Sequence, residues 1–343
     1  MGLTEWKPAL KVTVNGKDQT SAFLPRVSSI RISDTAGIQS DQCEIELTDH
    51  LPLTPLVIPE TGAEIQIALG YLFSSQVIGV YIVDEVEVTG PPNRMRITAY
   101  AAAHGTSDQG KSAISNARTR SWPDGTTVAK LVGMIAAESG FKASVSEAAG
   151  KVSLPHIDQI DESDMNLLTR IARENGLVFK PGGGALIVCQ TGESVSGTGT
   201  KLPVVALTPK QVSAWSMRIT RRGAFAKVIA SYRDFGKSEP VEVEADGVPA
   251  GVAGVTQVKR LKKIYPTEAA ARAAAAAEAR RGQRGARTLR LQLPGRADLM
   301  AEGRVALAGF REGVAGEWLI SEVSHTFSAD GWQSNISAEV PPI

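Results

Sequence analysis

The chain has 343 residues, 43% hydrophobic, 21% charged and only 5% aromatic, with a net charge of +1. That length leaves room for two or three domains, whose cores must be filled by Val, Ile, Leu and Ala. No apolar run approaches the roughly 20 residues of a membrane helix, Met1-Gly2-Leu3-Thr4-Glu5-Trp6 lacks the basic and apolar parts of a secretory signal, and Trp6 stands where a myristoylation motif needs Ser or Thr. The chain is therefore expected to be made in a cytosol, without membrane insertion. Cys43 and Cys189 lie in apolar stretches and are expected to be reduced and buried. His50, His104, His156 and His325 are scattered, so no metal site or cofactor is expected.

Residues 1–105 read as strands. Leu10-Lys11-Val12-Thr13-Val14 alternates and meets the hairpin turn Asn15-Gly16. Val27-Ser28-Ser29-Ile30-Arg31-Ile32, Cys43-Glu44-Ile45-Glu46-Leu47 and Ile65-Gln66-Ile67-Ala68-Leu69 follow. Short alternating strands with Gly/Pro turns predict an antiparallel barrel or sandwich. Residues 106–190 predict a small α+β module. One helix follows Asp124-Gly125-Thr126 and stops at Gly140; a second is capped by Ser163, begins at Asp164 and ends at Gly176. A hairpin closes the module around Pro181-Gly182-Gly183-Gly184. Residues 191–343 return to strands, interrupted by an insertion at about 236–288. There, 236–256 reads as an exposed excursion, and 268–281 as an Ala-rich surface helix with few large residues to anchor it and a partner partly outside the chain. The fold class is mainly β (α+β): two related antiparallel β-barrel domains, 1–105 and 191–343, with the module between them.

An eight-residue phrase underlies the word "related". Gly79-Val80-Tyr81-Ile82-Val83-Asp84-Glu85-Val86 returns as Gly316-Glu317-Trp318-Leu319-Ile320-Ser321-Glu322-Val323. Each copy continues into a polar turn and a second strand, Ile97-Thr98-Ala99 and Ile336-Ser337-Ala338. This is a hairpin used twice, although Gly-aromatic-aliphatic is also common strand grammar. Three chains bearing such a duplication would offer six similar surfaces around one axis.

The motifs of chemistry are weak. Pro181-Gly182-Gly183-Gly184 lacks the Lys-Ser/Thr and the helix of a phosphate loop. His104 and Asp108 resemble a base and its orienter, but no nucleophile motif accompanies them. Asp158, Asp161, Glu162 and Asp164 lack EF-hand spacing and read as a helix-entry turn. No pair of carboxylates is singled out for glycoside hydrolysis. Charge is unevenly placed: residues 210–296 hold 18 Lys/Arg against 7 Asp/Glu, a net +11, and both flanks are acidic. Lys259-Arg260-Leu261-Lys262-Lys263, Arg280, Arg281, Arg284, Arg287 and Arg290 suit a contact with an acidic protein surface, or with phosphates. Aromatics for stacking and a reader motif are missing, which favours the protein contact.

Three stretches resemble the late control protein D family of contractile-tailed bacteriophages, the baseplate hub proteins. They are 79–99 followed by Arg118-Thr119-Arg120-Ser121-Trp122; the signature 159–176 with Glu162-Ser163-Asp164; and Tyr265-Pro266-Thr267-Glu268-Ala269 with its helix, Leu293-Pro294-Gly295 and 318–325. Asn166 stands where that signature usually has an aromatic residue. The family is also similar to the hub part of type VI secretion spike proteins. The resemblance implies a non-enzymatic homotrimer in the tail baseplate of a virion, or of a tail-like bacteriocin, assembled in the host cytoplasm. Its partners would be the central spike, the tail tube and baseplate wedge proteins, with DNA only as passing cargo. Arg280, Arg281 and Arg284 are the expected interface residues. The rival readings are a tail-tip cell-wall hydrolase and a DNA-binding late regulator.

Overall fold

The computed structural model describes residues 7–37, 41–49, 56–71, 74–101, 114–182, 184–195, 200–234, 236–237, 239–249 and 251–342. His50, His104, Asp108 and Gly183 lie outside them. The fold is mainly β, dominated by one 13-stranded sheet. In spatial order its main path runs Ala214–Ile219, Arg287–Pro294, Gly331–Glu339, Gly316–Ser328, Val27–Thr35, Gln42–Thr48, Arg94–Ala101, Gln76–Thr89, Glu64–Tyr71, Pro8–Val14 and Lys17–Asp18. Val204–Leu207 and Arg304–Leu307 join beside Gly316–Ser328.

Alternation in the sequence decides which face of this sheet is inward. Ile30 and Ile32, then Cys43, Ile45 and Leu47, then Ile65, Ile67 and Leu69, then Ile97 and Ala99 all point into one core. Their neighbours Arg31, Glu44, Glu46, Gln66 and Thr98 are left on the other face. Each fully buried Ile or Leu contributes about 1.5–3 kcal/mol, so a one-residue slip would be heavily disfavoured. The turn at Asn15 and Gly16 has φ of 47° and 75°, the left-handed pair that a two-residue hairpin requires. A second core, with Leu289, Leu291, Val305, Trp318, Ile320 and Ile336, fills the C-terminal β-unit. The chain therefore has two β-units, each with a core of its own apart from Phe327 and Trp332, which reach from the second unit into the first core; the units join edge to edge where Gly316–Ser328 pairs with Val27–Thr35.

The α+β module packs Val128–Glu138 and Asp164–Asn175 against the hairpin Leu177–Gly182 and Ala185–Gln190. Ser163 caps the second helix through the Asn166 amide at 3.2 Å, and Gly176 ends it with φ 66°. A short strand, Lys142–Val145, adds in parallel to the hairpin. Asn166 is exposed, so no core contact depends on the missing aromatic.

The insertion differs from its sequence reading. Lys227–Tyr232 does not enter the large sheet but forms a three-stranded sheet with Val241–Asp246 and Val258–Tyr265. Part of the expected excursion is thus a strand, with Val243 buried. The helix Glu268–Gly285 finds a partner inside this chain: Ala271, Ala274, Ala275 and Ala279 pack on Val228, Ala230, Val243 and Tyr265. A face of small side chains lets the helix axis approach the sheet closely, and periodicity weighted by residue size underrates such a face.

Candidate assembly interface

The duplicated phrase is duplicated in hydrogen bonding as well as in letters. In the first hairpin Val83 faces Ala99, a bulge absorbs Asp84, and Glu85 and Val86 then face Thr98 and Ile97. In the second, Ile320 faces Ala338, a bulge absorbs Ser321, and Glu322 and Val323 face Ser337 and Ile336. The preceding strands agree too, with Ile65 opposite Tyr81 and Val305 opposite Trp318. Val83 accepts from the Gly62 amide at 2.7 Å and donates to Ala63 O at 2.9 Å. Ile320 accepts from the Glu302 amide and donates to Gly303 O, both at 2.9 Å. A bulge placed at one position of both hairpins turns the two strands alike.

The glycine that opens each phrase is required for different reasons. A Cβ on Gly79 would sit 2.2 Å from the Tyr81 hydroxyl, so the ring needs a bare backbone there. Gly316 has φ 121°, outside the range of L side chains.

Charged groups lock the β-units to the module. Lys180 Nζ lies 2.6 Å from Asp34 Oδ1 and 2.8 Å from Asp41 Oδ1. Asp34 Oδ2 also accepts from the Ala301 amide at 2.8 Å, so one carboxylate touches all three parts. Burial opposes ionisation of Asp34, but Lys180 outweighs it and holds this carboxyl below its usual range. Burial, then the charge of Asp34, push Asp41 up to about 6. Nearby, burial pushes Glu302 up to about 7, while its Oε2 accepts from the Gly192 amide at 3.0 Å. Glu302 also carries φ 64°, an uncommon conformation for a side-chain-bearing residue.

Two of the resembling stretches meet in space. The strand Ala117–Trp122 pairs with Ile157–Ser163. This brings Arg118 and Arg120 to Asp164, at 3.4 and 2.6 Å, and both to Glu138 at 2.7 Å. Asp164 is fully buried. Glu162 pairs with Arg170 at 2.7 Å, and Asp158 accepts from Ser121 at 2.6 Å. The acidic run before the helix is thus spent on internal partners, apart from the exposed Asp161. Sequence reasoning missed that Arg118 and Arg120 answer Asp164; their distance along the chain hid it.

Comparisons with known proteins show the family. The family model for the phage tail baseplate hub (GPD) matches residues 112–331. The chain belongs to that family. A probable baseplate hub protein of Escherichia phage 186 is 30% identical over 98% of this chain and 94% of its own length. A 43 kDa tail protein of prophage MuSo2 from Shewanella oneidensis shares the fold with TM-score 0.70 at 15% identity, covering 97% of this chain and 98% of its own. An Escherichia coli component of the type VI secretion system superposes with TM-score 0.56 at 12% identity, covering 98% of this chain and 77% of its own. The chain is a baseplate hub protein of the phage tail type.

In this hub protein the three arginines named from sequence do not share one environment. Arg280 and Arg281 are exposed on the insertion helix, and Arg281 lies 3.1 Å from Glu278. Arg284 is half-buried and lies 2.6 Å from Glu339, tying the helix to the C-terminal β-unit.

Proposed function

We propose that this baseplate hub protein forms a homotrimeric ring of pseudo-sixfold symmetry, which joins the sixfold tail tube to the threefold central spike. The observation that carries the reading is the duplicated hairpin, with its bulge at the same residue of both copies. A chain that presents two equivalent β-units can fill six near-equivalent places with three copies, while the parts that are not duplicated keep threefold symmetry. The module and the insertion are the unduplicated parts. The division at 1–105, 106–190 and 191–343 belongs to this proposal.

The polar face of the sheet supports the same reading. Arg96 lies 3.3 Å from Glu44, 2.7 Å from Glu46 and 3.8 Å from Glu87, so cations and anions are interleaved there. A ring lined by such a face lets DNA pass without holding its phosphates. In this arrangement Arg280 and Arg281 face an acidic neighbour, spike, tube or wedge, and Arg284 holds their helix in place.

The test is the native mass of the purified protein, alone and with its spike, together with class averages. A mass near three chains and a threefold ring are expected. A chain that stays monomeric beside the spike sinks the reading.

A further inference from the structure

Two margins of the large sheet each have a covered counterpart inside the same chain. One margin is Ala214–Ile219, whose one sheet neighbour among the described residues is Arg287–Pro294. The other is residues 85–89 of the strand Gln76–Thr89, where Arg94–Ala101 is the one neighbour among the described residues. Ala214–Ile219 holds the place in the second β-unit that Val27–Thr35 holds in the first. Trp215 and Met217 face Leu291 and Leu289 as Ile30 and Ile32 face Ile45 and Cys43. Through the duplicated phrase, Val86, Glu87 and Val88 answer to Val323, Ser324 and His325. The two counterparts bond to each other: Asp34 faces Val323, Ser33 faces Ser324 and Ile32 faces His325.

We propose that the two margins join between copies of the chain, Ala214–Ile219 of one copy adding antiparallel to residues 85–89 of the next. The internal junction sets the register. Ile219 meets Val86, Arg218 meets Glu87, Met217 meets Val88 and Ser216 meets Thr89.

The side chains fit this register. Opposite charges stand directly opposite at Arg218 and Glu87, on the polar face. Apolar side chains meet at the two flanking positions, on the other face. Val88 is 53% exposed in the single chain, whereas its counterpart His325, in the internal junction, is 2% exposed. The pairing also satisfies a row of backbone N–H and C=O groups on each margin, which otherwise invite indiscriminate strand addition. The junction is heterologous, so it closes into a ring or runs on as a filament. From one margin to the other the path crosses eight strands, and the internal junction falls at its middle. Internal and intermolecular junctions would then alternate around the barrel. The inference rests on the ring proposed above and names the surface that closes it.

The experiment combines a cysteine pair with a charge exchange in the full chain. Met217→Cys with Val88→Cys should give reductant-sensitive multimers of up to three linked chains, while each single variant gives none. Arg218→Glu alone, or Glu87→Arg alone, should weaken association by tenfold or more, and the double exchange should restore it. A wild-type trimer whose variants neither link nor respond to the exchange overturns the strand junction and leaves the ring reading standing. Links that stop at two chains support the junction and count against a closed ring. A monomer that yields no linked species overturns both.

Discussion

Lys180 and Asp34, 146 residues apart in sequence, meet at 2.6 Å and fasten the α+β module to the first β-unit. Asp41 shares the same ammonium, so one largely buried cation serves two carboxylates. Replacing Lys180 by Met leaves the two acids facing each other with no counter-charge. Stranding a buried charge costs about 3–5 kcal/mol. The loss should be largest at pH 8, where both acids are ionised. It should shrink towards pH 5, because Asp41 is already pushed up to about 6 and takes a proton readily. Urea unfolding of the variant at the two pH values tests this, and an equal loss at both would contradict it.

Glu302 gives a second pH effect of known sign. Burial raises its folded pKa to about 7 from an ordinary 4.5, so the folded chain holds the proton more tightly than the unfolded one. The stabilisation is complete below about pH 4.5 and is lost as pH rises to about 7 and beyond. A Glu302→Gln variant keeps an acceptor for the Gly192 amide and removes the charge. It should match the wild type near pH 4.5 and exceed it at pH 8 by up to about 3 kcal/mol. Thermal melts across that range would show the curves diverging upward in pH; parallel curves would exclude the effect.

How much of this was legible in the sequence depends on the range of the interaction. Val12, Ile30, Ile45 and Ile97 declare their strands by local alternation, and Ser163 and Gly176 mark both ends of a helix. The duplicated phrase marked the same hairpin twice, whereas the bulge at Asp84 and Ser321 shows only in the pairing. What escaped was pairing at a distance. Nothing near Lys227 says that its strand leaves the main sheet for the insertion. The alanines of 268–281 gave no hint of the sheet beneath them, because their face is marked by small size. Glu302 carries a left-handed backbone conformation that its residue type does not advertise.

Gly295 illustrates a residue fixed by an aromatic neighbour. An added Cβ would fall 1.9 Å from Trp332 Cδ2, and the Gly295 amide donates to Trp332 O at 2.9 Å, so neither partner can withdraw. Trp332 belongs to the first core and lies 5.3 Å from the Tyr71 ring. Gly295→Ala should cost about 1–3 kcal/mol by overpacking, seen as a lower urea midpoint with an unchanged slope. A variant as stable as the wild type would show that the indole can move aside.

Asp164 stands between Arg118 and Arg120 with no solvent contact of its own. Asp164→Ala leaves the two guanidiniums with Glu138 alone, taking away the buried one of their two carboxylates, and removes a favourable charge from the first turn of its helix. The expected loss is about 3 kcal/mol or more, read from chemical denaturation. The change should also weaken the Ala117–Trp122 and Ile157–Ser163 pairing, seen as faster amide exchange in those strands. Loss of stability without faster exchange there would place the role of Asp164 in the helix alone.

The basic region should bind duplex DNA weakly, for a reason visible in its ion pairs. Lys259 lies 2.5 Å from Glu278, Lys263 2.6 Å from Glu174, Arg272 2.7 Å from Glu268 and Arg284 2.6 Å from Glu339. Arg260 is paired with Glu242. A cation held by a carboxylate of its own chain displaces few counterions from DNA, because the pair must first be broken. Affinity should therefore change little between about 50 and 200 mM salt, measured by anisotropy of a labelled duplex. A steep slope, on the order of six released counterions or more, would revive the reading of these residues as a phosphate-binding surface. It would also move the +11 region from assembly to nucleic-acid contact.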